Sequence, residues 1–185
     1  GGSVGGGATG GKWSGGAGTW TSATNKSTAT YTAGASESGT KTLTLTTIGG
    51  SCGTTTATKT IVVNANPTAN AGGGLSAICQ GATSAAIGVG ASIGGGATGG
   101  VWTASSGTVN NPTDVTGATY TGDGSTGSIT LTLTATSAAS CTAVATKNIT
   151  VNANPTANAG NAMTAICEGA TSAAIGVGAS IGGGA

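Results

Sequence analysis

Histidine, phenylalanine and arginine are absent from this chain of 185 residues, and only 5% of its residues are charged. Histidine is the commonest general acid or base in enzymes, and carboxylates are the main substitute for it. The only carboxylate side chains are those of Glu37, Asp114, Asp123 and Glu168, and no pair of them recurs along the chain. The sequence therefore predicts a protein that is not an enzyme and that has no catalytic residues.

Other absences exclude further kinds of site. A net charge of +1 supplies no basic patch for nucleic acid. No apolar run approaches the roughly 20 residues of a membrane span, and no cysteine cluster has the spacing of a zinc site. Residues 5–13 match a phosphate-binding loop as far as Lys12, but Trp13 stands where that loop requires serine or threonine. We expect no metal, no cofactor, no nucleic acid partner and no membrane span.

Glycine is abundant, with 38 residues, and threonine alternates with aliphatic residues in several stretches. Such an alternation with a period of two is typical of a half-buried strand. The inward positions are predicted to be Leu43, Leu45, Ile61, Val63, Ile129, Leu131, Leu133, Ile149 and Val151. Because many short strands are separated by turns and no helical period is found, we predict an all-β protein with an antiparallel β-sandwich fold.

The sequence also repeats itself. Residues 81–97 recur unchanged as residues 169–185, 88 positions later, and residues 5–13 match residues 94–102 at a spacing of 89. A fixed spacing of this length is that of a small domain. We therefore predict tandem β-sandwich repeats of about 88 residues, with 1–65 as the later part of one repeat, 66–153 as a complete repeat and 154–185 as the early part of another. The chain is then expected to be a window of a longer polymer.

The complete repeat has few large apolar residues. Its core is predicted at Trp102, Tyr120, Leu131, Leu133, Ile149 and Val151, and further strands are expected around residues 75–79, 84–92, 99–105 and 118–122. Neighbouring repeats meet directly at Asn66-Pro67 and at Asn154-Pro155. Proline restricts its own backbone and that of the residue before it, so these joints are predicted to be stiff.

The four cysteines follow the same spacing. Cys79 and Cys167 are 88 positions apart, and Cys52 and Cys141 are 89 positions apart. We predict a disulfide between Cys79 and Cys141, with Cys52 and Cys167 pairing with residues outside the chain or in neighbouring copies. Paired cysteines would indicate an oxidising, extracellular compartment. Two buried free thiols in each repeat are the alternative.

A longer pattern runs through these features: PTANAG, ICxGATSAAIG, GGATGGxW, ATYT, LTLT, SC, ATK and ITVNANPT in that order. It resembles the immunoglobulin-like or PKD-like repeats of very large secreted surface proteins of gliding bacteria, such as gliding-motility adhesins and other cargo of the type IX secretion system. The resemblance implies a structural protein at the cell surface, a repeat of an extracellular filament or stalk. Its partners would be further copies of itself.

Two alternatives stay open. An adhesin module that binds surface glycans would use an exposed aromatic residue such as Trp20, or the threonine faces at residues 42–46 and 130–136. The recurring Trp13 and Trp102 are more typical of a β-sandwich core, and threonine faces are usually the wet side of a strand. The partial repeats are completed either by the same polypeptide or by strand donation from another chain.

Overall fold

The computed structural model describes residues 1–183. All regular secondary structure in that range is β-strand, which confirms the prediction of an all-β protein. The chain forms two compact units. Unit 1 comprises Gly1–Pro67 with Ser137–Cys141, and unit 2 comprises Thr68–Thr136 with the chain from Thr142 onward.

Unit 1 contains a three-stranded sheet and a short hairpin. Its strands are β1 (Gly10–Ser14), β2 (Thr19–Thr21), β3 (Thr30–Thr32), β4 (Gly39–Ile48) and β5 (Thr56–Val63). The sheet is antiparallel with the order β1-β4-β5, and β2 pairs with β3. On β4, Leu43 and Leu45 are buried, whereas Thr42 is exposed and Thr44 and Thr46 are half-buried. The alternation of threonine with leucine therefore gives β4 one apolar face.

The remaining ten strands form four sheets. They are β6 (Thr68–Asn70), β7 (Ile78–Cys79), β8 (Ser92–Gly94), β9 (Ala97–Ala104), β10 (Thr108–Asn110), β11 (Thr119–Thr121), β12 (Gly127–Ser137), β13 (Thr142–Asn152), β14 (Thr156–Asn158) and β15 (Ser180–Gly182). The largest sheet has the order β7-β13-β12-β9, and β7 runs parallel to β13. The other three sheets are the antiparallel pairs β6-β8, β10-β11 and β14-β15.

Unit 1 and unit 2 share one strand arrangement. We call two residues counterparts when they occupy matching positions 88 or 89 residues apart. The order β1-β4-β5 matches the order β9-β12-β13, and the registers also match. Leu43 lies opposite Lys59, and its counterpart Leu131 lies opposite Lys147. The strand β7, which extends the sheet beyond β13, has no counterpart beside β5 in residues 1–67.

The buried residues of unit 2 form one cluster, drawn from the four-stranded sheet and from the short strand pairs around it. Every second residue of β12 from Ile129 to Ser137 is buried. The cluster includes the six residues assigned to the core from the sequence: Trp102, Tyr120, Leu131, Leu133, Ile149 and Val151. Ile87 and Ala118 also belong to it and are fully buried.

The strand expected at residues 84–92 is wrong over most of its length. Residues 87–90 form a turn, and only Ser92 at the end of this stretch belongs to a strand. Gly90 has a φ of +74°, and any side chain at Gly88 would collide with the carbonyl oxygen of Val115. Glycine is required at both positions, because it alone adopts that φ freely and allows so close an approach. The turn places Ile87 in the core.

Candidate functional site

Three of the four carboxylates hold backbone loops in place. Asp123 accepts hydrogen bonds from the hydroxyl of Ser106 at 2.6 Å and from the N–H groups of Gly107 at 3.0 Å and Ser125 at 2.8 Å. These hydrogen bonds, led by that of Ser106, lower the pKa of Asp123 to about 2. Donors that favour the charged form of a carboxylate lower its pKa in this way. The ionised side chain of Asp123 therefore holds the loop that precedes β10 in place.

Glu37 does the same work in unit 1 from a different sequence position. Its carboxylate accepts hydrogen bonds from the hydroxyl of Tyr31 and from the N–H groups of Ala17 at 2.9 Å and Gly34 at 3.0 Å. The Tyr31 hydroxyl contributes most to a lowered pKa of Glu37. Gly34, not Glu37, is the counterpart of Asp123. Both carboxylates therefore have a structural use, and they differ in exposure, since Glu37 is buried whereas Asp123 is exposed.

A third loop is held by Asp114 in unit 2 and by its counterpart Asn25 in unit 1. Asp114 accepts hydrogen bonds from the N–H groups of Thr116 and Gly117, and Asn25 accepts them from those of Ser27 and Thr28. Because an amide replaces the carboxylate without loss of these bonds, the negative charge is not needed here. Within residues 1–183 no three histidine, cysteine, aspartate or glutamate side chains come together to bind a metal ion.

The predicted disulfide between Cys79 and Cys141 is wrong for a single copy of the chain. Both thiols are free, as are those of Cys52 and Cys167. Cys79 on β7 lies beside Asn152 at the end of β13, whereas Cys141 immediately precedes the start of β13. The 11-residue strand separates them by roughly 33 Å at about 3.3 Å per residue. A disulfide requires Cα atoms roughly 4.4 to 6.8 Å apart.

The predicted joints have short connections and some local support. Residues 64–67 join β5 to β6, and residues 153–155 join β13 to β14. The backbone N–H of Asn154, the residue before Pro155, donates to the side-chain oxygen of Gln80 at 3.0 Å. The side-chain amide of Asn154 also donates to the carbonyl of Gln80 at 3.4 Å. In the other joint Pro67 is buried and Asn66 is exposed.

The most unusual feature of unit 1 is an open apolar groove, which the sequence did not predict. It has a volume of about 570 Å³, and its apolar walls are the side chains of Trp13, Trp20, Tyr31, Leu43 and Ile61. The rings of Trp13 and Trp20 stack 6.0 Å apart at 12°, and Tyr31 lies 5.1 Å from Trp20. We call this feature the groove. Leu43 is buried at the base of the groove, whereas Trp13, Trp20 and Tyr31 are half-buried and Ile61 is exposed.

Most counterparts of the groove walls are buried in unit 2, and Val109, the counterpart of Trp20, is half-buried. Ile149 is 1% exposed, whereas its counterpart Ile61 is 40% exposed. Trp102 and Tyr120 are also buried, whereas Trp13 and Tyr31 are only half-buried. The predicted inward position of Ile61 is therefore not a buried one. The difference comes from what lies over these residues in unit 2.

In unit 2 the cover is provided by residues 68–89. Ser84 and Ile87 donate backbone hydrogen bonds to the carbonyls of Tyr120 and Ala118, each at 2.7 Å, and Ile87 is fully buried. Tyr120 in turn donates its backbone N–H to the hydroxyl of Ser84 at 3.0 Å. Residues 1–67 correspond to residues 90–155 and contain no counterpart of this covering segment.

A second copy of the covering sequence occurs at residues 155–178, which we call the exposed segment. Ile175, the counterpart of Ile87, is 75% exposed, and Met163 and Ile166 are also exposed. At its start, β14 pairs with β15 in a two-stranded sheet, and Ile181 on β15 is 91% exposed. Two-stranded sheets of this kind are marginally stable alone. In the matching covering sequence Ile87 is fully buried, and Leu75 and Ile78, the counterparts of Met163 and Ile166, are half-buried.

No protein-family model matches the chain, and no curated protein matches it. The described residues also contain no helix of the length and apolar character that a membrane span requires. The groove and the exposed segment are therefore interpreted from their own geometry.

Proposed function

We propose that this protein is a structural repeat of an extracellular filament or cell-surface stalk, built from stiffly joined immunoglobulin-like β-sandwich domains of about 88 residues. The observation that carries the proposal is the recurrence of one strand arrangement, β1-β4-β5 and β9-β12-β13, in the same register along one chain. Recurrence of one folded strand arrangement along a chain favours a structural protein, in which the length of the array matters more than any single binding site.

The short connections support stiff joints. Residues 64–67 and 153–155 leave little free chain between consecutive strands, and the two hydrogen bonds between Asn154 and Gln80 restrain the residue before Pro155. Proline removes further backbone freedom at each joint. A stalk needs joints of this kind, because flexible linkers would let successive domains fold back on one another.

The extracellular location rests on the resemblance to secreted surface repeats and on composition, since the free cysteines no longer argue for it. Low charge and abundant threonine suit close packing of identical neutral surfaces. The test is immunogold electron microscopy of the producing cells, with antibodies raised against the 185-residue chain. We expect labelled fibres or stalks outside the cell envelope. Labelling confined to the cell interior would overturn the proposal.

A second candidate is an adhesin module that binds glycans. The observation in its favour is the half-exposed stack of Trp13, Trp20 and Tyr31, because aromatic faces with neighbouring polar groups also suit sugar rings. Binding would change the fluorescence of the two tryptophans. Two measurements distinguish the candidates: a glycan array, and a tryptophan-fluorescence titration with the glycan that binds best on that array. A purely structural repeat gives no saturable fluorescence signal. If the chain binds the glycan in the groove, the Trp20→Ala variant should lose the signal.

A further inference from the structure

We propose that Gln80 is the positioning residue of the joint at Asn154-Pro155: its side chain ties the joint to the loop after β11 and so fixes the direction in which the chain leaves β13. This inference rests on the structural role proposed above, in which stiff joints matter, and it names the residue that holds one of them. Gln80 follows β7 directly and is half-buried.

The backbone around Gln80 is held from two sides. On one side, β7 pairs with the end of β13, and the N–H of Gln80 donates to the carbonyl of Asn152 at 2.9 Å. On the other side, the N–H of Gly122 donates to the carbonyl of Ala82 at 3.0 Å. The side chain of Gln80 therefore starts from a fixed backbone between β13 and the loop after β11, as a precise contact requires.

The two ends of the Gln80 amide bond to different segments. Its oxygen Oε1 accepts from the backbone N–H of Asn154 at 3.0 Å, and its nitrogen Nε2 donates to the carbonyl of Gly124 at 2.7 Å. Asn154 is the last backbone donor before β14, because Pro155 has no N–H. The side-chain amide of Asn154 also donates to the backbone carbonyl of Gln80 at 3.4 Å. The joint is thus bonded to the same residue through its backbone and its side chain.

This place requires one acceptor and one donor from a single side chain. Glutamine supplies both, whereas an ionised glutamate supplies acceptors only. A carboxylate at this position would set an oxygen against the carbonyl oxygen of Gly124. Asp123, the charged residue of the same loop, is ionised and would repel such a carboxylate further. The hydrogen bonds of Gln80 therefore depend on its being an amide, and this dependence can be tested.

The chain itself shows that glutamate fits the local backbone. Residues 77–97 recur 88 positions later with one change, from Gln80 to Glu168. The glycine that follows has a φ of +74° in the first copy and of +79° in the second. Because the turn is the same with either residue, Gln80→Glu changes the hydrogen bonds and not the turn.

The first test is amide hydrogen exchange of the full 185-residue chain, followed by nuclear magnetic resonance. Gln80→Met keeps the length of the side chain and removes both of its hydrogen bonds. We expect the protection factor of the Asn154 amide to fall by about tenfold or more, while the amides of the β12–β13 ladder keep theirs. Unchanged protection at Asn154, or an equal loss throughout the ladder, would overturn the proposal.

The second test is the pH profile of Gln80→Glu. At pH 7 the variant should lose protection at Asn154 as Gln80→Met does. At about pH 3.5 the introduced carboxyl group is protonated, so that it can donate to Gly124 and accept from Asn154. Protection, corrected for the intrinsic pH dependence of exchange, should then return to within about twofold of the wild-type value at the same pH. Asp123 stays ionised there, since its pKa is about 2.

Gln80→Met is the matched control for this profile, because it offers no group that titrates and should not recover in acid. Failure of Gln80→Glu to recover would overturn the bridge between Gly124 and Asn154.

The two proposals fail in different ways. Labelled surface fibres together with unchanged exchange at Asn154 would leave the structural role and remove Gln80 as the positioning residue. A joint loosened by Gln80→Met in a protein found only inside cells would do the reverse.

Discussion

Two carboxylates, those of Asp123 and Glu37, hold loops in place, and the hydrogen bonds that they accept lower their pKa values. Asp123 and Glu37 accept hydrogen bonds from loops that precede counterpart strands, although they are not counterparts of each other. A carboxylate that accepts hydrogen bonds from several groups fixes the positions of those groups relative to one another. Each unit therefore has a carboxylate beside this loop, but the carboxylate comes from a different sequence position in each unit.

The low pKa of Asp123 leads to a prediction about pH. Since the folded pKa of about 2 lies below the ordinary value of 3.8, ionised Asp123 stabilises the fold above the unfolded pKa, and that stabilisation is lost as pH falls through the folded pKa. Asp123→Asn should therefore reduce the midpoint of urea unfolding at pH 7 and reduce it much less at pH 2. Glu168→Gln, at an exposed carboxylate, is the control and should be silent at both. A loss of equal size at both pH values would contradict the assignment.

The two tyrosines give a matched pair of substitutions. The hydroxyl of Tyr120 is buried with no hydrogen-bond partner among the described residues, whereas that of Tyr31 bonds to Glu37 and to the N–H of Gly18. An unsatisfied buried polar group destabilises a fold. We expect Tyr120→Phe to be neutral or to raise the free energy of unfolding by about 1 kcal/mol, and Tyr31→Phe to lower it. Chemical unfolding followed by circular dichroism measures both, and a clear loss in Tyr120→Phe would reveal a hidden partner.

At the scale of strands, β4 and β12 are nearly the same element in different surroundings. Leu43 and Leu131 are counterparts on their buried faces, but Leu43 also lines the groove. The cost of removing a core side chain depends on the cavity that it leaves, and a cavity open to water costs less than a closed one.

That comparison gives a third prediction. Leu131→Ala should lower the free energy of unfolding of unit 2 by about 2 to 5 kcal/mol, while Leu43→Ala should lower that of unit 1 by less in dilute, monomeric protein. Urea unfolding with one tryptophan reporter retained in each unit measures both. Equal costs would mean that the groove is already filled in the isolated chain.

The strands themselves were largely predictable, because their signal is local. Leu131 and Leu133 alternate with threonine, and this period predicts both the strand and its buried face.

The position of Cys79 could not be predicted in the same way. It lies on a two-residue strand whose parallel pairing with β13 is non-local and leaves no periodic pattern, so the spacing of the cysteines suggested a bridge that the topology forbids. Residues 87–90 resemble a strand in sequence, because isoleucine and valine alternate with glycine. They form a turn instead, in which Gly88 lies close to the carbonyl oxygen of Val115, and a sequence does not show this contact.

The groove could have been found from sequence by asking which counterparts are missing. Val4 aligns with Ile93 on β8, so the matching sequence of unit 1 starts after the position of Ile87. That comparison shows that residues 1–67 hold no copy of the covering sequence, but it does not show the geometry of the groove. The pairing of β7 with β13 shows that the matching edge in unit 1, that of β5, is open. The effect on burial is seen only in the structure, where Ile149 is buried and its counterpart Ile61 is exposed.

For the whole molecule, the open groove predicts two units of unequal stability. Unit 2 buries its complete core, whereas unit 1 leaves Ile61 and its aromatic side chains partly in water. We expect thermal unfolding at low concentration to show two transitions. The earlier one should be reported by the fluorescence of Trp13 and Trp20, which line the groove. A single transition would contradict this expectation.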